Sequence, residues 1–436
     1  MPATPEQISH LLRRTGVRVR QDRLAELLAF ELPQAVDMVC DFSVNPPLSV
    51  PAMGGDEWAW GNSVRNDWFD RLANQPNPLH AKLVLFWHGH FATALGKVGS
   101  FKLMIDQYQT ISQLAAGPFD TLAQSIAIDP AMLLYLDNYS NNRWSPNENF
   151  ARELLELFTL GVNRGYTQTD VVEAARAWTG YGLTWDDNGA HYAYNSASHD
   201  PGNKTIFGVT QAWTGPQVIT AICSGVRRRM CAEFLAAKLW SFFAYENPDS
   251  SLVSSLADDM ETEGLHTQNF LRKMFKRPEF YSAQAMQGRV KSPIEWSAAL
   301  IGSLGLMADD ISLGYETATA GHEFFNPPNV AGWKVNNVWI NETVTWALDG
   351  IARWGSYRAV DDTSLNPVSR AVLSQVPTMT PSAAVTAVAN LFGLTLSATS
   401  RQALETWLTT LRSQNGWGQG RTLARLMSLT TEARLA

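Results

Sequence analysis

The chain has 436 residues, of which 45% are hydrophobic and 17% charged, so it can bury a large core and is not a disordered segment. Its formal net charge of −7 lacks the basic footprint of non-specific nucleic-acid binding, and no window approaches twenty apolar residues, which excludes a membrane-spanning helix. Cys40, Cys223 and Cys231 form neither a disulfide framework nor a cysteine zinc site and read as buried thiols.

The N-terminus, MPATPEQISHLLRRTG, lacks the basic-then-apolar layout of a secretory signal. The expectation is a cytosolic chain or one that has lost its leader. Apolar residues recur at three- and four-residue spacing over 5–13, 21–31, 80–95, 121–136, 147–160 and 169–181, and each run predicts a helix. The pattern returns over 227–243, 266–274, 291–307, 382–392 and 401–412. Pro33, Pro78, Pro118, Pro146 and Gly161 punctuate these runs. Strand signal is sparse and strongest over 191–209, where alternation leads into a turn at Pro201-Gly202. The expected class is mainly α: a large multi-helix single body with one or two short β-hairpins. A polar segment, 355–382, divides a main helical domain (1–354) from a small C-terminal helical cap (355–436) packed on it.

Five stretches hold side chains suited to chemistry. In FWHGHF (86–91), His88 and His90 suit a divalent metal on a strand, where alternate residues share a face; on a helix they diverge and read as hydrogen-bonded interior histidines. In NENFARELLEL (147–157), Pro146 and Asn147 start a helix and Gly161 stops it. Glu148, Asn149, Arg152 and Glu156 then share one side, with Glu153 at its edge, opposite Phe150, Ala151, Leu154, Leu157 and Phe158. Glu148–Arg152 and Arg152–Glu156 are i,i+4 pairs. Such a face is either a solvated, salt-bridged surface or the wall of a cleft. In SHDPGNKTIFG (198–208), His199, Asp200 and Lys204 share a turn: a tuned imidazole pair, or a hairpin tip. RVKSPIEW (289–296) reads as a helix start with an ordinary Lys291–Glu295 pairing. FFNPPNVAGWKVNNVWIN (324–341) is too elaborate for a plain connector, and Trp333 and Trp339 are placed to stack on a ligand. The 16 tryptophans are either buried between helices or platforms for sugars, cations or bases. Rossmann and phosphate-loop glycines, a G-x-S-x-G elbow and H-E-x-x-H are absent, so there is no nucleotide or flavin signature.

Taken together and in order, HLLRRTG (10–16), FWHGHF, PAMLLYLDN (130–138), NENFARELLELFTLGV (147–162), YTQTDVVEAARAWTGY (166–181), HDPGNKTIFG, KSPIEW and FFNPPNVAGW make the chain resemble the bacterial domain of unknown function 1800 family. The likeness runs over nearly the whole chain. It implies export, as many relatives look exported, and a sulfatase-like protein as partner, since relatives are often encoded beside one. Family members often read ELHTLG where this chain has ELFTLG, so a histidine at position 158 is dispensable. WKVNNVW stands where a glycine-rich turn is usual. Three functions are open. The first is an enzyme performing acid–base chemistry on a polar polymer such as a glycan. There Glu148 and Glu153 are the carboxylate pair, Arg152 and Glu156 lie beside them, and His199 and Asp200 assist. Asn149, Lys204, Trp333 and Trp339 would hold the substrate. The second is a metal-dependent hydrolase or oxidase using His88 and His90 with a glutamate. The third is a non-catalytic scaffold for an exported partner.

Overall fold

Side-chain caps mark where the helices begin. Thr4 and Gln7 form a reciprocal capping box around Pro5, opening the helix Pro5–Thr15. Thr167 and Asp170 do the same for Gln168–Ala177, and Ser292 and Glu295 for Pro293–Leu304. A computed structural model describes residues 3–187, 189–365, 367–414 and 416–436. The architecture is mainly α, and its only sheets among the described residues are two two-stranded hairpins.

The periodic runs are helices with modest shifts at their ends. The run 121–136 is two helices, Phe119–Ala127 and Pro130–Tyr135. Proline cannot continue a helix, and Asp129 accepts from the Met132 N–H to start the second one. Two long helices carry a blurred apolar period and escape the pattern: Glu57–Asn74 and Glu342–Val360. Both place tryptophan on the water side, Trp58 on one and Trp346 and Trp354 on the other. The second runs across residue 354 and packs against Gln419–Ser428. Beyond it the chain returns, and Leu435 bridges Val290 while Ala436 N–H donates to Arg289 O at 2.8 Å.

The expected strand 191–209 resolves differently. Tyr181–Asp186 pairs with Gly189–Tyr194, and a second hairpin pairs Lys204–Ile206 with Val209–Gln211. Its turn is Phe207-Gly208, both at positive φ (52° and 80°), the geometry that matches strand twist in a two-residue loop. Pro201-Gly202 lies in the connection between the hairpins instead.

Candidate functional site

The helix Leu79–His90 is almost wholly buried, and its two histidines point apart, as a 200° separation requires. The Phe325 N–H donates to His88 Nε2 at 3.2 Å, among the rings of Phe324, Phe325 and Trp333. His90 Nε2–H donates to the Phe158 carbonyl at 2.9 Å, which leaves its Nδ1 an acceptor without a hydrogen-bond partner among the described residues. Burial pushes His88 down to about 3, and burial with the nearby Lys238 charge holds His90 well below the usual range. Both rings are neutral at physiological pH. Among the described residues no group of three or more His, Cys, Asp or Glu is placed to hold a metal ion.

The acidic helix starts at Asn149, two residues past the expected Asn147, and then changes pitch. Asn149–Glu153 is α-helical, whereas Leu154–Thr159 is a π-helical turn, with Leu160 N–H donating to Leu155 O. The wider turn carries Leu155 into the core and leaves Leu157 only partly buried, which corrects the expected apolar arc. Phe150 and Leu154 are buried. Arg152 bridges Glu148 at 2.7 Å and Glu156 at 3.2 Å, and Gln168 Nε2 also donates to Glu148. These side chains are 36%, 38% and 21% exposed for Arg152, Glu148 and Glu156, so the pairs sit in high dielectric and contribute about 0–1 kcal/mol each. Glu153 differs. It has no ion-pair partner among the described residues, and burial, then Glu156, raises its carboxyl. Asn149 is exposed.

The 199–204 turn is stitched into the fold. His199 Nδ1–H donates to Thr179 O at 2.8 Å. Asp200 accepts from Arg176 Nε and from the Gly202 N–H, which hold its carboxyl low against the upward push of burial. The Lys204 ammonium donates to the Asp200 and Gly202 carbonyls. This connection between the hairpins therefore has its polar groups committed to its own backbone, to Arg176 and to Thr179. Lys291 donates to Ala433 O rather than to Glu295, so the expected i,i+4 pairing is replaced. Glu295 instead takes both Arg289 nitrogens at 2.8 Å and Lys82 Nζ at 3.0 Å, all within the core.

What the chain does assemble is a cavity of about 640 Å³, of a size that suits a small organic ligand. The helix Leu79–His90 supplies Phe86 and His90, and Arg228–Phe243 supplies Phe234, Lys238 and Phe242. Arg289, Ser292 and His322 also line it, together with Trp333 and Lys334 from the tryptophan loop, 324–341. That loop rests directly on the histidine helix through Gly332, whose φ is +77° and whose Cα lies so close to Gly89 that an added Cβ would meet its carbonyl oxygen at 2.0 Å. His322 is clasped by Trp333 edge-on and Trp339 face-on, 3% exposed, with neither ring nitrogen hydrogen-bonded among the described residues. Burial pushes it down to about 3.

Of the cations lining this cavity, Lys238 and the exposed Lys334 have no ion-pair partner among the described residues, and Glu246 is a carboxylate on the same walls. The Lys238 Nζ lies 5.2 Å from the Phe234 ring centroid, and no carboxylate pairs with it among the described residues. Burial pushes the ammonium down to about 8. Arg164 and Arg289 on the same walls are each paired, with Glu233 and Glu295. Of the residues singled out from sequence, His90 and Trp333 line this cavity. The acidic helix, the 199–204 turn, His88 and Trp339 do not. Lys238 and His322 escape a motif search, although a lone lysine inside the apolar run FLAAKLWSFF is a visible signal.

A helical body with an aromatic-walled, cation-bearing cavity is the class of protein that fold and site define. The sequence model of the family described as a protein of unknown function, DUF1800, matches residues 10–432, and the chain belongs to that family. No curated protein and no solved structure matches the chain.

Proposed function

We propose that the chain binds a small anionic organic molecule in the cavity between the helix Arg228–Phe243 and the tryptophan loop. The observation that carries this reading is Lys238. A partly buried ammonium that lines a cavity beside the Phe234 ring, with no carboxylate paired to it among the described residues, leaves a place for an anionic ligand as its partner. Phe86, Phe234, Phe242 and Trp333 would take the apolar part of that ligand. Titration calorimetry with a panel of small aromatic and aliphatic carboxylates, sulfonates and phosphates tests it. At least one should bind. Lys238→Met, which keeps the stem and removes the charge, should weaken that binding by roughly thirtyfold or more, as expected for half of a desolvated charge pair. Glu148→Gln should leave it unchanged. Equal affinity in Lys238→Met, or no binder in the panel, would sink the proposal.

A second reading, acid–base chemistry on a polar polymer such as a glycan, is favoured by Glu153. Its raised carboxyl, without an ion-pair partner among the described residues, sits at the junction with the π-turn, an environment that suits a general acid. With a substrate drawn from a polysaccharide panel, Glu153→Gln should lower turnover roughly 10²–10⁴-fold. Glu148→Gln should do far less, because Glu148 is committed to Arg152 and Gln168. Wild-type turnover in Glu153→Gln would make that carboxylate structural.

A further inference from the structure

The helix Glu342–Val360 buries Val344, Leu348, Ile351, Ala352 and Ala359 on one side, so its other side should be polar. It is aromatic instead. Trp346, Trp354 and Tyr357 are 70%, 44% and 41% exposed and fall, with Gly350 and Arg353, within one arc of the helix. Trp354 and Tyr357 lie nearly parallel, 13° apart in plane, and Gly350 leaves open space one turn before Trp354. The helix Gln419–Ser428 forms the facing wall with Arg421, Thr422 and Arg425, enclosing a groove of about 530 Å³. Exposed aromatics gathered at a groove mark a binding site more often than chance.

Two polar features define what the groove takes. Ser356 is 2% exposed and lines it, with an Oγ that has no hydrogen-bond partner among the described residues. Arg421 and Arg425 are each tied to an aspartate, Asp361 and Asp349, whereas Arg353 has no ion-pair partner among the described residues. The occupant therefore offers a flat face to the rings, a hydroxyl to Ser356 and one anionic group to Arg353. A pyranose ring bearing a carboxylate meets all three demands, because its C–H face is the weakly positive complement of an aromatic π-face. A nucleic acid fits less well: it needs several uncompensated cations along its backbone, and among the groove's arginines Arg421 and Arg425 are already paired. An apolar peptide would leave the serine and guanidinium groups unmatched.

We infer that this groove is a binding site for an acidic sugar residue of a polysaccharide, separate from the cavity around Lys238. Native gels cast with polygalacturonate, with its fully methyl-esterified form, or with neither, test it on the whole chain. Polygalacturonate should retard the protein, and the neutral ester should retard it at least about tenfold more weakly. Trp354→Ala should abolish retardation, and Arg353→Gln should remove the preference for the acid while leaving residual stacking. Both side chains are exposed, and unchanged circular dichroism would confirm intact folding. A single-stranded oligonucleotide at equal charge concentration should not compete. Absence of retardation, retardation that survives Trp354→Ala, or full competition by the oligonucleotide overturns the inference.

Discussion

Glu295→Gln should destabilise the protein by about 3–5 kcal/mol, the usual cost of removing one partner from a buried ion pair. The reason lies in what surrounds it. Glu295 is 1% exposed and is the anion that Arg289 and Lys82 share, with Arg14 and Lys291 buried nearby. Removing its charge leaves several cations facing one another without water. Total stabilities run to about 5–15 kcal/mol, so the loss is a large fraction of the whole. Thermal unfolding reads it directly. Adding Lys82→Met to Glu295→Gln should recover part of the loss, since the orphaned ammonium is then gone too. Acid stability gives a second readout. Burial alone would raise the Glu295 carboxyl, but Arg289 and Lys82 outweigh it and hold it well below its ordinary value. As pH falls, the unfolded chain protonates this carboxyl first, so its contribution is full above the ordinary carboxylate value. It drains away as pH drops toward the folded one. Glu295→Gln should lack that part of the acid limb. A variant as stable as the parent at every pH would contradict this account of the core.

Gly332→Ala is expected to displace the tryptophan loop. A side chain there must adopt a positive φ, at about 1–3 kcal/mol, and its Cβ must also enter the Gly89 carbonyl oxygen. Because the atom it meets is backbone, no rotamer change relieves the clash. Gly321 separates the two effects: it also has a positive φ (+74°) but open space around its Cβ, so Gly321→Ala should carry the conformational cost alone. Gly332→Ala should melt at a lower temperature than Gly321→Ala and show red-shifted tryptophan emission as Trp333 leaves the cavity wall. Identical melting of the two variants would mean the loop yields easily.

The helical runs were legible because their apolar period is local, and the Glu148–Arg152–Glu156 chain of ion pairs was legible for the same reason. The Leu157 position was missed because a π-turn alters pitch without any sequence marker as plain as proline. Lys291–Glu295 failed for a different reason. Spacing permits that pair, but the capping box and Arg289 claim Glu295, and Lys82 arrives from more than two hundred residues away. The cavity was hidden on the same ground: Phe86, Lys238 and His322 meet only through tertiary packing. Sequence could mark Trp333 and His90 as unusual, yet the cation that gives the cavity its character sits in an apolar stretch with no motif around it.

The central claim is that the cavity takes an anion through the Lys238 ammonium, and the affinity of a panel hit measured from pH 6 to 10 tests it most directly. With the ammonium pushed down to about 8 by burial, affinity should hold steady below that value and fall about tenfold per pH unit above it, before the bound complex itself titrates. Lys238→Met should bind weakly and show no such fall. A wild-type affinity that stays flat through pH 8, or a fall that persists unchanged in Lys238→Met, would place the anion elsewhere.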